Sequence, residues 1–199
     1  MDYVLIAFKC IDSRLKSGVR GVICKLDIEK AYDYVNWNFL MYLLRRCGFL
    51  EKWRRWILWC ISTVKFSILL NGTPVDIFGS TRGVCQGDPL SLLLFDIVIE
   101  ALSRMLDTAA ILEQFSGFLV GNAAGTLLTM SHLLFVDDTL IFYDADSHYL
   151  AAFHGILARF EVVSGLKINL LKSELVPIGI MPNMEDLVEI LSCRQSYLP

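Results

Sequence analysis

Two aspartates side by side, Asp137 and Asp138, separate the apolar segments 132–136 and 139–143. No other feature constrains the fold as much. Apolar segments of this length that resume at once on both sides of a doublet read as a β-hairpin with both carboxylates at its tip. Adjacent carboxylates raise each other's pKa, and charge enclosed by apolar strands must be paired or bound to metal. Divalent cations are the natural remedy, since Mg²⁺ is commonly held by one or two protein carboxylates together with substrate phosphates. A third carboxylate stands elsewhere, where Val22, Cys24, Leu26 and Ile28 alternate with Ile23, Lys25 and Asp27 in a half-buried strand ending near Lys30. Asp27 could complete the cage. Taken alone, such a doublet is more often a polar hairpin turn. Asp144 and Asp146 lack the glycine of a calcium-binding loop and read as turn residues.

Around these carboxylates the chain alternates helices and strands. Apolar residues at helical spacing (Val4, Leu5, Phe8, Ile11, Leu15) predict a first helix closed by Ser17-Gly18. Asn36 caps a predicted second helix that runs to Cys47-Gly48. A third, over roughly 51–63, sets Trp53, Trp56, Ile57 and Cys60 on one stripe, and its tryptophans read as core residues in preference to a base-stacking platform. Segments 64–71 and 74–79 form a hairpin about Asn71-Gly72. Asp88-Pro89 opens a long buried helix through Leu90, Leu94, Val98, Leu102 and Met105, with Asp88 assigned to capping. A helix from about Ser147 to Val163, a short strand near 166–170 and a weaker helix near 184–192 complete the chain. The fold class is one α+β unit, an antiparallel sheet with helices packed on one face.

Composition narrows the function. The six cysteines form no C-x-x-C pair and read as buried, reduced thiols, and the three histidines lack metal-ligand spacing. The uncharged run from Gln114 to Val136 is too polar for a membrane span, and the start carries no secretory pattern, so an intracellular chain is expected. The net charge of −3 hides an asymmetry: residues 1–65 hold 12 Lys and Arg against 6 acids, and the remainder holds 6 against 15. A basic portion could track phosphates while an acidic one holds cations, although two solvated faces give the same tally.

Four blocks in order closely resemble the motifs of reverse transcriptases. They are Lys25 to Asp33 (KLDIEKAYD), Gln86 to Ser91 (QGDPLS), Phe135 to Thr139 (FVDDT), and Ser164 to Asn169 (SGLKIN) with Lys172-Ser173. The near-continuous likeness is to plant non-long-terminal-repeat retrotransposons of the long interspersed element type. It implies an RNA-directed DNA polymerase with a palm-like antiparallel sheet and part of the fingers over residues 1–199. The fingertip motifs, primer grip and thumb are expected to be missing.

The resemblance also implies roles. Asp27, Asp137 and Asp138 are the catalytic carboxylates that bind two Mg²⁺ (or Mn²⁺) ions, with the Ile28 carbonyl as a further ligand. Tyr32 closes off the sugar 2′ position, although by itself it reads as a core tyrosine. Gln86 and Gly87 contact the incoming deoxynucleoside triphosphate, and Lys172, or Lys167, neutralises the leaving pyrophosphate. An RNA template and a DNA primer are the partners. The pattern is broken where relatives usually carry arginine at Cys85, proline at Leu92 and alanine at Val136. These departures suit a second reading, a truncated, non-catalytic retrotransposon remnant.

Overall fold

The computed structural model describes residues 3–114, 116–121, 127–135, 138–144, 147–181 and 184–197, and of 135, 138, 147 and 148 it describes the main chain. In chain order the elements are α1 (Tyr3–Ser17), β1 (Gly21–Leu26), β2 (Ile28–Glu29), α2 (Trp37–Arg46), α3 (Glu51–Ser62), β3 (Lys65–Leu70), β4 (Thr73–Gly79) and α4 (Pro89–Ile111). There follow β5 (Phe118–Gly121), β6 (Leu127–Met130), β7 (His132–Phe135), β8 (Asp138–Asp144), α5 (Ser147–Ser164), β9 (Lys167–Ile168), β10 (Glu174–Ile178), α6 (Met184–Leu191) and β11 (Arg194–Gln195). Five strands form one sheet in the order β11-β10-β1-β8-β7, antiparallel except between β10 and β11.

Strand β1 is central because both of its faces are apolar. Val22, Cys24 and Leu26 join Ile141, Tyr143 and Leu175 in the larger core, which α2, α4, α5 and α6 close with Leu40, Phe95, Leu102, Phe153 and Leu187. On the other face Ile23, Phe142 and Ile178 meet Cys10 of α1 and Phe118 of β5. The expected α+β sheet with helices on one face therefore holds for α2, α4, α5 and α6, with α3 joined to the same core through Ile57 and Ile61, while α1 covers the opposite side. Arg14 anchors α1 there. Its buried guanidinium pairs with Asp144, donates to the Arg20 carbonyl at 2.6 Å and lies 4.6 Å from the Phe118 ring centre. Asp144 is thus a strand residue with a fixed partner, not the turn residue expected; Asp146 lies outside the described residues.

Other expectations fare unevenly. The Asn36 cap, the Asn71-Gly72 hairpin and the Asp88-Pro89 helix start are all present. No helix among the described residues is long and apolar enough to cross a membrane. The tryptophans of α3 are not core residues: Trp53, Trp56 and Trp59 are 54%, 49% and 67% exposed, because α3 docks on the narrow stripe of Ile57 and Ile61 alone. Likewise Cys10, Cys24 and Cys193 are buried, whereas Cys47 and Cys60 lie at the surface and Cys85 is half-buried. Strand β10 was not expected, and it carries Pro177, which cannot donate to a ladder. It is tolerated because β11 pairs only with Glu174 and Leu175, which leaves the outer side of Pro177 without a ladder to break.

Candidate active site

The β1–β8 ladder ends with Leu26 opposite Thr139, so Asp27 and Asp138 are the next residues along the two antiparallel strands. On the other side of β8 the last pair is Phe135 with Asp138. The expected hairpin is present with Asp138 opening its second strand; Asp137 lies outside the described residues.

Asp27 sits in the break between β1 and β2, and its main chain is held by a turn, not by neighbouring strands. Its N–H donates to the Ser173 hydroxyl at 3.0 Å, and its carbonyl accepts the Asn169 N–H at 2.8 Å. The fully buried Ser173 hydroxyl in turn donates to the Asn169 carbonyl at 2.9 Å. The half-buried Asp27 carboxylate makes no hydrogen bond or ion pair among the described residues, which leaves its oxygens free for a cation. No group of three or more His, Cys, Asp or Glu able to hold a metal occurs among the described residues, a description that omits Asp137 and the Asp138 side chain. Free carboxylate oxygens at the end of this ladder suit a hard cation.

Beside Asp27, a concavity of about 180 Å³ is lined by Ile28, Lys30, Ala31, Tyr32, Asp33 and Gln86. Three of the residues picked from the sequence, Ile28, Tyr32 and Gln86, therefore meet, although more than fifty residues separate Gln86 from the other two. Main-chain stitching makes this possible: Val84 N–H donates to the Tyr32 carbonyl at 2.7 Å and Gly83 N–H to the Val35 carbonyl at 2.8 Å. The Trp37 indole N–H donates to the Gly83 carbonyl at 2.6 Å. Only glycine fits at 83, where φ is +80° and a Cβ would lie 2.5 Å from the Asp33 carbonyl oxygen. The half-buried Tyr32 ring lies 4.7 Å, centre to centre, from Phe95 of α4. Gln86 and Gly87 form the exposed corner of the turn from Cys85 to Asp88, with φ of +90° at Gly87. Asp88 accepts the Ser91 N–H at 3.0 Å and its hydroxyl at 2.9 Å, a helix cap as expected.

Asp33 also lines a second, larger cavity of about 660 Å³, walled by Ile61, Val64, Phe66, Phe78 and Val84 and reached by Arg82, Cys85 and Asp88. Arg82 is the cation among its lining residues and stacks 4.6 Å over the Tyr34 ring centre. Lys172 is exposed in the turn that holds Asp27, with its N–H on the Asn169 carbonyl at 3.0 Å, and Lys167 lies opposite Glu29 across the β2–β9 pair. Neither lysine lines the concavity beside Tyr32. His132 joins β7 to α4: the Ser103 hydroxyl lies 2.7 Å from Nε2 and that of Ser131 2.8 Å from Nδ1. Burial holds its pKa below the ordinary range, against the opposing pull of Asp107 and Glu100. Sequence reasoning gave no role to Ser173, Asn169 or Gly83. Ser173 and Asn169 stood inside a recognised block, but a positioning contact through the main chain leaves no residue-type signature.

This arrangement is the polymerase palm, an antiparallel sheet with carboxylate-bearing strand ends over helices. The structure is similar to telomerase from Candida albicans solved with a fragment of telomeric RNA, with a TM-score of 0.60 and 16% identity over 87% of this chain and 29% of that one. It is also similar to apo telomerase from Candida tropicalis, with a TM-score of 0.61 and 17% identity over 88% and 34%. The sequence matches the family described as reverse transcriptase (RNA-dependent DNA polymerase) over residues 7–189, and the chain belongs to that family. Among its relatives are Pol polyproteins of R2 retrotransposable elements. It is 32% identical to that of Nasonia vitripennis over 131 residues and 31% identical to one of Popillia japonica over 133 residues. The matches cover 65% and 67% of this chain but only 12% and 20% of those proteins.

Proposed function

We propose that the chain carries the palm and part of the fingers of an RNA-directed DNA polymerase from a non-long-terminal-repeat retrotransposon of the plant type, working inside the cell on an RNA template, a DNA primer and deoxynucleoside triphosphates. The observation that supports it is the end of the β1–β8 ladder, where Asp27 and Asp138 succeed a paired Leu26 and Thr139 and the Asp27 carboxylate makes no hydrogen bond or ion pair among the described residues. Asp27, Asp137 and Asp138, with the Ile28 carbonyl, would hold two Mg²⁺ or Mn²⁺ ions, whose oxygen preference they match. Such a pair, when bound, activates the primer 3′-hydroxyl and stabilises the departing pyrophosphate. Tyr32, braced by Phe95, presents a ring edge that excludes a ribose 2′-hydroxyl. Gln86 offers a donor and an acceptor to the nucleotide, Gly87 lets the backbone approach it, and Lys172 neutralises phosphate charge.

The test is single-nucleotide primer extension on an RNA template by this chain, or a longer chain containing it, with Asp27→Asn and Asp137→Asn variants. Both are expected to abolish Mg²⁺- or Mn²⁺-dependent extension. Asp27→Asn should leave the melting temperature unchanged, because among the described residues its carboxylate has no partner to lose. Undiminished extension by either variant refutes the assignment.

A further inference from the structure

The tryptophans of α3 form an exposed feature that the polymerase site leaves unused. Between positions 42 and 59 five aromatics are exposed: Tyr42 (55%), Phe49 (40%) and the three tryptophans. The same stretch holds Arg45, Arg46, Lys52, Arg54 and Arg55 against a single acid, Glu51. A tight turn, with Phe49 N–H on the Leu44 carbonyl at 3.0 Å, joins the end of α2 that carries Arg45 and Arg46 to the start of α3. Trp53, Trp56 and Trp59 recur every third residue, which sets them about 4.5 Å apart along the axis in a slanting row. Trp53 meets Trp56 edge to face at 5.1 Å, and the Lys52 ammonium lies 4.8 Å from the Trp56 ring centre. Arg55 is paired with Glu51, while Arg45 and Arg46 pair with no carboxylate among the described residues.

We infer that this face of α2 and α3 is a docking site for single-stranded nucleic acid, with bases stacked on Trp53, Trp56 and Trp59 and phosphates drawn to Arg45, Arg46 and Lys52. Interleaved cations and aromatic planes are the chemistry by which single strands are held without sequence preference. The surplus of charge here is strongly positive on a chain of net charge −3, complementary to a polyanion. The inference rests on the proposed polymerase function only in that a nucleic acid is at hand. The strand can be RNA or DNA, since every base has a stacking face.

The experiment titrates the full chain in EDTA with 15-nucleotide oligo(dT), oligo(rU) and a blunt DNA duplex, following tryptophan fluorescence. Three of the four tryptophans are on this face, and the fourth, Trp37, is half-buried and bonded to Gly83. Either single strand should quench the emission, and the duplex should bind at least tenfold more weakly. The Trp53→Ala/Trp56→Ala/Trp59→Ala variant should lose tenfold or more in affinity by fluorescence anisotropy of a labelled strand, and the triple Phe variant should recover most of it. Arg45→Gln/Arg46→Gln should flatten the dependence of log K on log salt by about 0.7 per cation removed. The inference is overturned if wild type binds neither strand, if the triple Ala variant binds as wild type does, or if its only defect is loss of self-association. None of these outcomes bears on extension by Asp27→Asn, and loss of oligonucleotide binding by the tryptophan variant stands even if that extension persists.

Discussion

The hydroxyl of Ser173 accepts the main-chain N–H of Asp27 at 3.0 Å, across most of the length of the chain. Ser173→Ala strands that N–H in a buried turn, which should cost about 1–3 kcal/mol in stability. Because the contact fixes where the Asp27 carboxylate starts from, kcat in primer extension should fall about tenfold and half-maximal activity should require more Mg²⁺. Denaturant melts and a Mg²⁺ titration check both. A stability loss with an unchanged Mg²⁺ requirement would make Ser173 a structural residue only.

Tyr32→Val should raise ribonucleotide incorporation relative to deoxynucleotide, since a shorter side chain no longer meets the 2′-hydroxyl. It also removes the ring that packs 4.7 Å from Phe95, so a loss of about 1–2 kcal/mol should accompany the change. The check is paired incorporation ratios on one template. An unchanged ratio in a folded variant assigns Tyr32 to the core alone.

Cys85→Arg should increase extension on the order of tenfold, equivalent to about 1.4 kcal/mol in the barrier. A guanidinium there can hold phosphate through two charge-assisted bonds, whereas a thiol carries no fixed charge. Asp33 and Asp88 line the same cavity and can orient the new side chain. Single-turnover rates decide the matter, and equal rates would mark cysteine as a tolerated residue, with Arg82 as the cation in place.

Acidification should destabilise the fold through His132. Its folded pKa lies below the ordinary 6.5, so the folded state takes up its proton later than the unfolded chain. Stability is therefore full above that value and declines as pH falls from 6.5 toward the depressed folded value. Urea midpoints of wild type and His132→Gln between pH 7.5 and 5.5 should diverge in that direction. Parallel curves would show that another group sets the acid limit.

Much of this architecture was legible where local chemistry and global fold agree. Asn36, Asn71-Gly72 and Asp88-Pro89 mark element ends because a side-chain acceptor, a turn or a fixed φ acts within four residues. The Asp137-Asp138 hairpin was legible because apolar strands enclosed it. What escaped was set by partners remote in sequence. Hydrophobicity places the α3 tryptophans in a core, yet only Ile57 and Ile61 reach one, because the neighbouring elements offer α3 a narrow seat. Pro177 argues against β10, and only the shortness of β11 permits it. Of the site, Asp27, Tyr32 and Gln86 were recognisable as residue types, while the turn at Asn169 and Ser173 that holds Asp27 was not.

Strand β1 forms early in the chain but pairs only with strands made late: Cys24 lies opposite Ile141 on one side and Leu175 on the other. Such long-range pairing is slow, because loop closure must precede any gain from the contact. During synthesis one edge of β1 stays open until β8 has emerged and the other until residue 178 has, and such edges invite pairing with other nascent chains. The Asp27 end of the sheet is therefore among the last parts to mature. Ribosome-bound chains stopped before Glu174 should remain sensitive to protease within β1, and chains extended past Gln195 should not.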